Sequence, residues 1–529
     1  MDTKALRQKV LDLAIRGKLV PQDPNDEPAS VLLDRIRAEK QRLVKEGKLK
    51  AKDIKNDTII FVGDDNLHYE KFADGSVKCI EDEIPFELPE GWQWSRVASF
   101  ASIITDGEHK TPRRVEQFQG YYLLSARNIQ NGSISLNDVD YVDGEEYEII
   151  SKRCNPRKND VLISCSGSVG RVTVVCDDRH YVMVRSAAMI RPITISPYYL
   201  MYALQSGQLQ NQIQAASKQT AQANLFLGAI QTLLVPIPPI EEARRIVGLA
   251  TNAISITDNI EEQRVSVTQV IATTKAKILD LAIRGQLVPQ NPDDEPASIL
   301  LERIRAEKEE LVKQGKIKRD KKESIIFRGD DNSYYRRSSD GKEEIVDDLP
   351  YAIPDSWEWT TIGELFAINP RNKIADDMDV SFIPMPLIDD GYSGYHRSET
   401  KQWKEVKTGF THFQNGDIGL AKITPCFENR KSVIFRDLCN GFGAGTTELH
   451  VLRPQSEALL PEYALALLKS EMFINSGVQA FTGAVGQQRV GKDYVMNTYF
   501  PLPPYAEQHR IVDQISKLFA LIATIETAL

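Results

Sequence analysis

Residues 241–284 contain no proline and one glycine, and they carry apolar or small side chains at Ile246, Ala250, Ala253, Ile260, Val267, Ile271, Ile278 and Leu281. Spacings of three, four and seven predict an amphipathic helix with a narrow, heptad-like stripe, interrupted at Arg264 and Thr274. At 1.5 Å per residue such a helix runs roughly 66 Å, and the polar pair Asp258-Asn259 leaves a bend open. Gly285 suits a left-handed C-terminal cap. The proline-rich turn "VPQNPDDEPA" follows, then a second amphipathic helix over 297–313 that ends at Gly315. Beyond it, "FRGDDNSYYRRSSDGKEEI" (327–345) reads as a β-hairpin with Asp340-Gly341 in its turn.

This pattern occurs twice. "KVLDLAIRGKLVPQ" (9–22) returns as "KILDLAIRGQLVPQ" (277–290), "DPNDEPASVLLDRIRAEK" (23–40) as "NPDDEPASILLERIRAEK" (291–308), and "IIFVGDDN" (59–66) as "IIFRGDDN" (325–332). "IPFELPEGWQW" (84–94) matches "LPYAIPDSWEW" (349–359), pairing Trp92 and Trp94 with Trp357 and Trp359. After more than a hundred divergent residues the match resumes, "VPIPPIEEARRIV" (235–247) against "FPLPPYAEQHRIV" (500–512). The offset is 268 at Lys9 and 265 from Trp92 to Pro239. Each copy is therefore a constant frame around a variable insert. The first copy starts with only the tail of the long helix, while 506–529 matches the front, 241–264, at offset 265. The repeat is circular: only 265–268 lack a counterpart, so Leu529 and Met1 are expected to lie close together, about one helical turn apart.

The frame sets the expected boundaries: a helical segment over 1–50, a β-rich connector over 51–94, a first recognition domain over 95–240, the central helix and helical hairpin over 241–320, a second connector over 321–359, a second recognition domain over 360–505, and a distal helix over 506–529. Length, 529 residues, and 42% hydrophobic content are those of an ordinary globular chain. The N-terminus lacks a secretory h-region, and no stretch approaches 18 apolar residues, so a cytoplasmic protein is expected. Six cysteines without C-x-x-C and seven histidines without H-x-x-x-H signal neither a disulfide framework nor a metal site. The net charge of −9 argues against nucleic acid taken whole, but the inserts are near neutral, with 14 basic against 12 acidic residues over 95–240 and 14 against 16 over 360–505.

In the first insert, "ITDGEHKTPRR" (104–114) places Lys110, Thr111, Arg113 and Arg114 in a Gly/Pro-containing turn, followed by Arg127 and Asn128. Such a loop can set cations on phosphates and Arg or Asn on base edges, though a solvated surface loop has the same composition. "NDVLISCSGSVGRVTVV" (159–175) reads as two strands around a glycine turn holding Ser168 and Arg171, suited to a phosphate or simply to a hairpin bend. The aligned polar loops "ASKQTAQANLF" (216–226) and "FTGAVGQQRVG" (481–491) bring Lys218, Gln219, Gln222 and Asn224, and Gln487, Gln488, Arg489 and the adjoining Lys492, within reach of bases or backbone. The second insert adds Arg371, Asn372 and Lys373, then Lys422, Arg430 and Lys431.

Taken in order, "LPEGWQW" and "IPDSWEW", "DGEHKTP", "NDVLISCSGSVG", the polar Gln loops, and "PPIEEARRIV" and "PPYAEQHRIV" leading into long helices make the whole chain resemble the specificity (S) subunit of a type I restriction-modification system. The N-terminal helical hairpin and the GDDN segment look like those of its longer members. The resemblance implies an α+β chain with two α/β target recognition domains in a pseudo-twofold circular arrangement, joined by two long antiparallel conserved helices. It implies that each domain reads one half of a bipartite asymmetric double-stranded DNA site, the helices setting the spacer. The partners it implies are two adenine methyltransferase (M) subunits, docked on frame helices including 28–46 and 296–314, and restriction (R) subunits in the full complex. No cofactor is implied in this chain, S-adenosylmethionine, ATP and Mg being expected in the partner subunits.

Catalytic motifs do not add to this. "PLPPYAEQ" (501–508) is superficially like the N-P-P-Y element of adenine methyltransferases, but Leu502 stands where Asn or Asp must bond the flipped adenine, and its counterpart "PIPPIEEA" marks it as a repeated strand-to-helix junction. "GFGAGTTE" (441–448) lacks the G-K-[ST] of a phosphate loop and reads as a turn. The chain is thus expected to be non-catalytic and free of metal. An autonomous DNA methyltransferase or restriction enzyme, and a coiled-coil scaffold without DNA specificity, are the alternatives.

Overall fold

The computed structural model describes residues 2–217, 223–315, 324–338, 340–484 and 486–529. The chain divides into two compact units, residues 1–263 and 264–529. The long helix is unbroken from Ile240 to Ile283, 44 residues, with no interruption at Asp258. Gly285 closes it at φ 67°, and the Gln286 amide reaches back to the Leu281 carbonyl at 2.9 Å. The shorter frame helices are Ala29–Lys45 and Ala297–Lys313. The connector is more than a hairpin. Each copy is a three-stranded antiparallel sheet, Ile59–Val62, His68–Lys71 and Val77–Cys79 in the first unit, and Ser324–Arg328, Tyr334–Ser338 and Glu343–Ile345 in the second.

Within each unit, one front segment of helix meets one tail segment. In the first, Thr3–Ile15 meets the front half of the long helix near its middle, with Thr3 Oγ1 donating to Glu261 at 2.8 Å and Arg7 paired to Asp258 at 2.9 Å. In the second, Tyr505–Ala528 meets the end of the long helix through Ile271, Ile278 and Ile522, with Lys275 on Glu526 at 2.7 Å. Arg7 and Lys275 correspond at offset 268, Glu261 and Glu526 at 265. Met1 lies outside the described residues, and with it the expected approach of Met1 to Leu529.

The repeated phrase "DLAIRG" forms a socket. Gly17 and Gly285 sit at φ 61° and 67°, and a Cβ on either would meet Pro89 or Pro354 Cγ at 2.5 Å or less and the Trp92 or Trp357 ring at 3.1 Å. Each tryptophan is buried, and its Nε1 donates to the carboxylate that opens the following long helix, Trp92 to Glu242 and Trp357 to Glu507, both at 2.9 Å. Tyr199 and Tyr463 add hydroxyl bonds to the carbonyls of Pro236 and Pro501. Burial pushes the carboxyls of Glu242 and Glu507 above the ordinary value of 4.5, against the pull of the Trp N–H. A folded-state pKa above the unfolded one means that the native state holds the proton more tightly. The stabilisation is fully present below the unfolded value and is lost as pH rises through the folded one. The double substitution Glu242→Gln/Glu507→Gln is expected to flatten the fall in stability as pH rises above 4.5 in urea denaturation, and an unchanged slope would count against it.

The inserts, though divergent, share one topology. The first holds a sheet ordered Ala101–Asp106, Ala187–Pro192, Val161–Ser164, Val172–Val174, and the second a sheet ordered Phe366–Ile368, Leu449–Pro454, Ile418–Ala421, Ser432–Ile434. Beside each lies a second sheet built on a parallel pair, Tyr121–Leu124 with His180–Met183, or Asp379–Ile383 with Phe442–Gly445. The reading of 441–448 as a turn is therefore corrected: its residues Phe442–Gly445 are an interior strand. Its glycines leave room for the ring of Phe413, whose atoms would fall within 3.1 Å of a Cβ at Gly443 or Gly445. Entry and exit of each insert lie side by side, Gln93–Arg96 pairing with Leu234–Ile237 and Glu358–Thr361 with Tyr499–Leu502.

The frame copies differ at one buried polar joint. Arg96 makes a fork on Glu70 at 3.1 and 2.9 Å and also reaches Glu83. Arg96 and Glu70 are 9% and 4% exposed, so each needs the other. In the second copy Thr361 stands at the place of Arg96 and Arg336 at that of Glu70, and Arg336 donates instead to the Tyr499 hydroxyl at 2.7 Å.

Candidate nucleic-acid interface

Both inserts gather their loops at one edge, because their strands end together there. In the first, Ala101–Asp106 and Val161–Ser164 both run antiparallel to Ala187–Pro192, while Tyr121–Leu124 and His180–Met183 are parallel to each other. Backbone bonds stitch the loops: Glu108 N to Met183 O at 2.7 Å, Cys165 N to Ser186 O at 2.7 Å, and Leu225 N to Cys165 O at 2.8 Å. Gly107 lies against the Met183 carbonyl so closely that any side chain would collide with backbone, which accounts for the glycine of "DGEHKTP".

The edge sorts the sequence-predicted residues. Lys110 and Thr111 are exposed, as is Ser168 in the 165–170 turn. Arg171 is half-buried, its amide donating to Ser164 Oγ at 2.9 Å. Arg113 is taken up by Asp143 and Glu145, Arg114 by Asp140, and Arg127 by Asp138 and Asp140. Asn128 does not face a ligand. It is 1% exposed, accepts from Ser125 and donates to the Ser135 carbonyl, so its amide shapes the loop. Lys218, Gln219 and Gln222 lie outside the described residues; Asn224 forms a β-bridge with Ser166.

In the second insert, four predicted residues brace loops. Arg371 donates to the Phe410 carbonyl, Asn372 to the Phe413 carbonyl, Arg430 to the Lys469 carbonyl, and Lys431 to the Ile388 carbonyl. Lys373, Gln487 and Lys492 are exposed; Lys422 and Gln488 are half-buried. Burial first, then the nearby ammonium groups of Lys422 and Lys492, hold the His450 imidazole below its usual pKa. Arg489 is gripped by Glu448, Nε and Nη2 each 2.9 Å from a carboxylate oxygen.

The two polar loops occupy equivalent places. Asn224 bridges Ser166 as Arg489 bridges Ile423, and Leu225 N binds Cys165 O as Val490 N binds Lys422 O at 2.9 Å. Among the described residues, edge cations without an ion pair include Lys110, Arg171 and Arg185 in the first insert and Lys373, Lys422 and Lys492 in the second, beside the carbonyl-bound Arg371 and Lys431. Arg185 and Glu448 were not visible as edge residues from sequence, since Arg185 stands in no polar loop motif and Glu448 closes the glycine-rich stretch 441–448 that reads as a turn. The only signal was their position directly after, or next to, a strand. No group of His, Cys, Asp and Glu able to hold a metal occurs among the described residues, and none of their helices is long and apolar enough to cross a membrane.

The chain thus has a mixed helix-and-sheet fold with two repeated domains, each with exposed cations in its loops. The family model for the type I restriction modification DNA specificity domain matches residues 89–268 and 354–529, and the chain belongs to that family. Both matches start at the prolines that close the glycine sockets. It is 49% identical over 250 residues to the type I restriction enzyme EcoAI specificity subunit of Escherichia coli, covering 47% of this chain and 39% of the relative. The EcoKI specificity subunit of Escherichia coli strain K12 is 20% identical over 456 residues, 83% of this chain and 84% of the relative. The matched region thus spans well under two thirds of the EcoAI protein. The solved HsdS subunit from Thermoanaerobacter tengcongensis covers 84% of this chain and 93% of its own at 16% identity, with a TM-score of 0.38.

Proposed function

We propose that this chain is the sequence-specific DNA-binding specificity subunit of a type I restriction-modification complex. Each recognition domain, 95–240 and 360–505, reads one half of a bipartite asymmetric site through its loop edge. The conserved helices set the spacer between the half-sites, and two methyltransferase subunits dock on helices including Ala29–Lys45 and Ala297–Lys313, with restriction subunits joining the full complex. The chemistry, and the S-adenosylmethionine, ATP and Mg it needs, belong to those partners, and this chain is non-catalytic. The observation that carries this reading is the contrast between divergent edges and a common topology in nearly constant sockets. A frame maintained twice around two different loop edges fits one partner type bound twice and two different target sequences.

Purified chain incubated with DNA and a labelled methyl donor is expected to transfer no methyl groups; robust transfer without a partner would favour an autonomous methyltransferase. A scaffold without specificity predicts binding indifferent to sequence. Mapping methylated adenines in host DNA would give the bases read, the spacer and the modified positions together. For a single contact, Arg489→Ala is expected to weaken binding to the second half-site by about 1–3 kcal/mol. A phosphate contact would instead weaken all sequences alike and lower the salt slope.

A further inference from the structure

Arg489 is held in a way that discriminates between the two targets a DNA-facing arginine can have. Its main chain is fixed by exchange of both amide bonds with Thr482, at 2.9 and 3.0 Å, and by the bridge to Ile423. Its guanidinium has five N–H groups. Nε and Nη2 each give one to Glu448 at 2.9 Å, and Nη1 gives one to the Gln487 carbonyl at 2.8 Å. What remains is one N–H on each Nη, on a side chain still 40% exposed. Glu448 is itself anchored, its amide bonded to Thr446 Oγ1 at 3.1 Å and its carbonyl to the Lys422 amide at 3.0 Å.

Charge decides between phosphate and base. The Arg489–Glu448 pair is close to neutral as a unit, so it offers little attraction to a phosphate. A neutral base edge with two adjacent acceptors suits the two remaining N–H groups, and in the major groove that pattern is guanine O6 and N7. The free cations Lys422 and Lys492 on the same edge are the better phosphate ligands. We infer that Glu448 is a positioning residue that presents Arg489 to a guanine in the second half-site. This rests on the DNA-reading role proposed above.

The test uses the full chain and a pool of duplexes with randomised sites, the bound fraction being sequenced for wild type, Glu448→Gln, Arg489→Lys and Arg489→Gln. Wild type is expected to enrich a bipartite site with one position in one half where guanine is favoured by about ten- to a hundredfold. Glu448→Gln should cut that preference by about tenfold at that position alone, because the fork no longer fixes the guanidinium plane. Arg489→Lys should abolish it, and Arg489→Gln should turn it toward adenine. A Glu448→Gln profile identical to wild type, or weakened evenly at every position, overturns the positioning role and leaves the DNA-reading role standing. Failure of wild type to enrich any bipartite site overturns the DNA-reading role itself.

Discussion

Replacing residues 95–234 with the matching segment of another member of the family should abolish recognition of the original first half-site while leaving the second half-site intact. The physical reason is the way the insert is closed. Ser95 pairs with Val235 and Arg96 with Leu234, so the chain leaves and re-enters the frame on neighbouring strands, and an incoming segment that keeps an arginine at 96 presents the frame with the same two-stranded clip and the same fork on Glu70. Binding to sites with the original first half should fall toward the non-specific level, a loss on the order of a thousandfold or more, measured by fluorescence anisotropy at fixed salt. Loss of preference in both halves would contradict the modular reading.

The largest stability effect is expected at the tryptophan of the socket. Trp357 is fully buried, faces Gly285 and Pro354, and gives its N–H to Glu507. Trp357→Ala removes a large ring from the core, at about 3–5 kcal/mol. It also strips a buried carboxylate of a donor, at about 1–3 kcal/mol. The cost should appear in urea unfolding, with proteolytic cuts concentrated in residues 264–529, and Trp92→Ala should do the same to residues 1–263. Trp357→Phe separates the two contributions, since it retains most of the packing and loses only the N–H. A loss below about 1 kcal/mol for Trp357→Ala would show that the socket is not what closes the unit.

The frame was legible because its signals are local. The stripe from Ile246 to Leu281 and the caps at Gly285 and Gly315 act within a few residues, and the internal repeat supplied an alignment within one chain. Placement of the 297–313 helix came out to the residue. The inserts were less legible. Val161–Ser164 is buried on both faces and shows no alternation, so only the glycine turn after it marked a strand. The Phe442–Gly445 strand was misread because its glycines make room for Phe413, a residue of another strand.

For the candidate interface, residue types were readable and their commitments were not. Arg113 and Arg114 look like free cations in a loop, but their carboxylates arrive from 138–145, around the Asp140–Val142 strand. Glu448, the partner of Arg489, comes from 41 residues earlier in the chain. Periodicity and composition carry no record of such pairings. What the sequence did convey correctly was the alignment of 216–226 with 481–491, since Asn224 and Arg489 occupy matching bridges.

The Arg96–Glu70 fork bears on how a chimera should be cut. A graft that starts at Ser95 carries the arginine away and leaves its acid behind. If the incoming segment has a threonine there, as at Thr361, Glu70 stays buried in the connector without its guanidinium fork, at a cost of about 3–5 kcal/mol. Such a protein would fail to fold well for a reason unrelated to DNA. Cutting before Ile59 instead, so that connector and insert travel as one piece, transfers acid and base together. The heritable unit of specificity is therefore longer at its front end than the surface that touches the target.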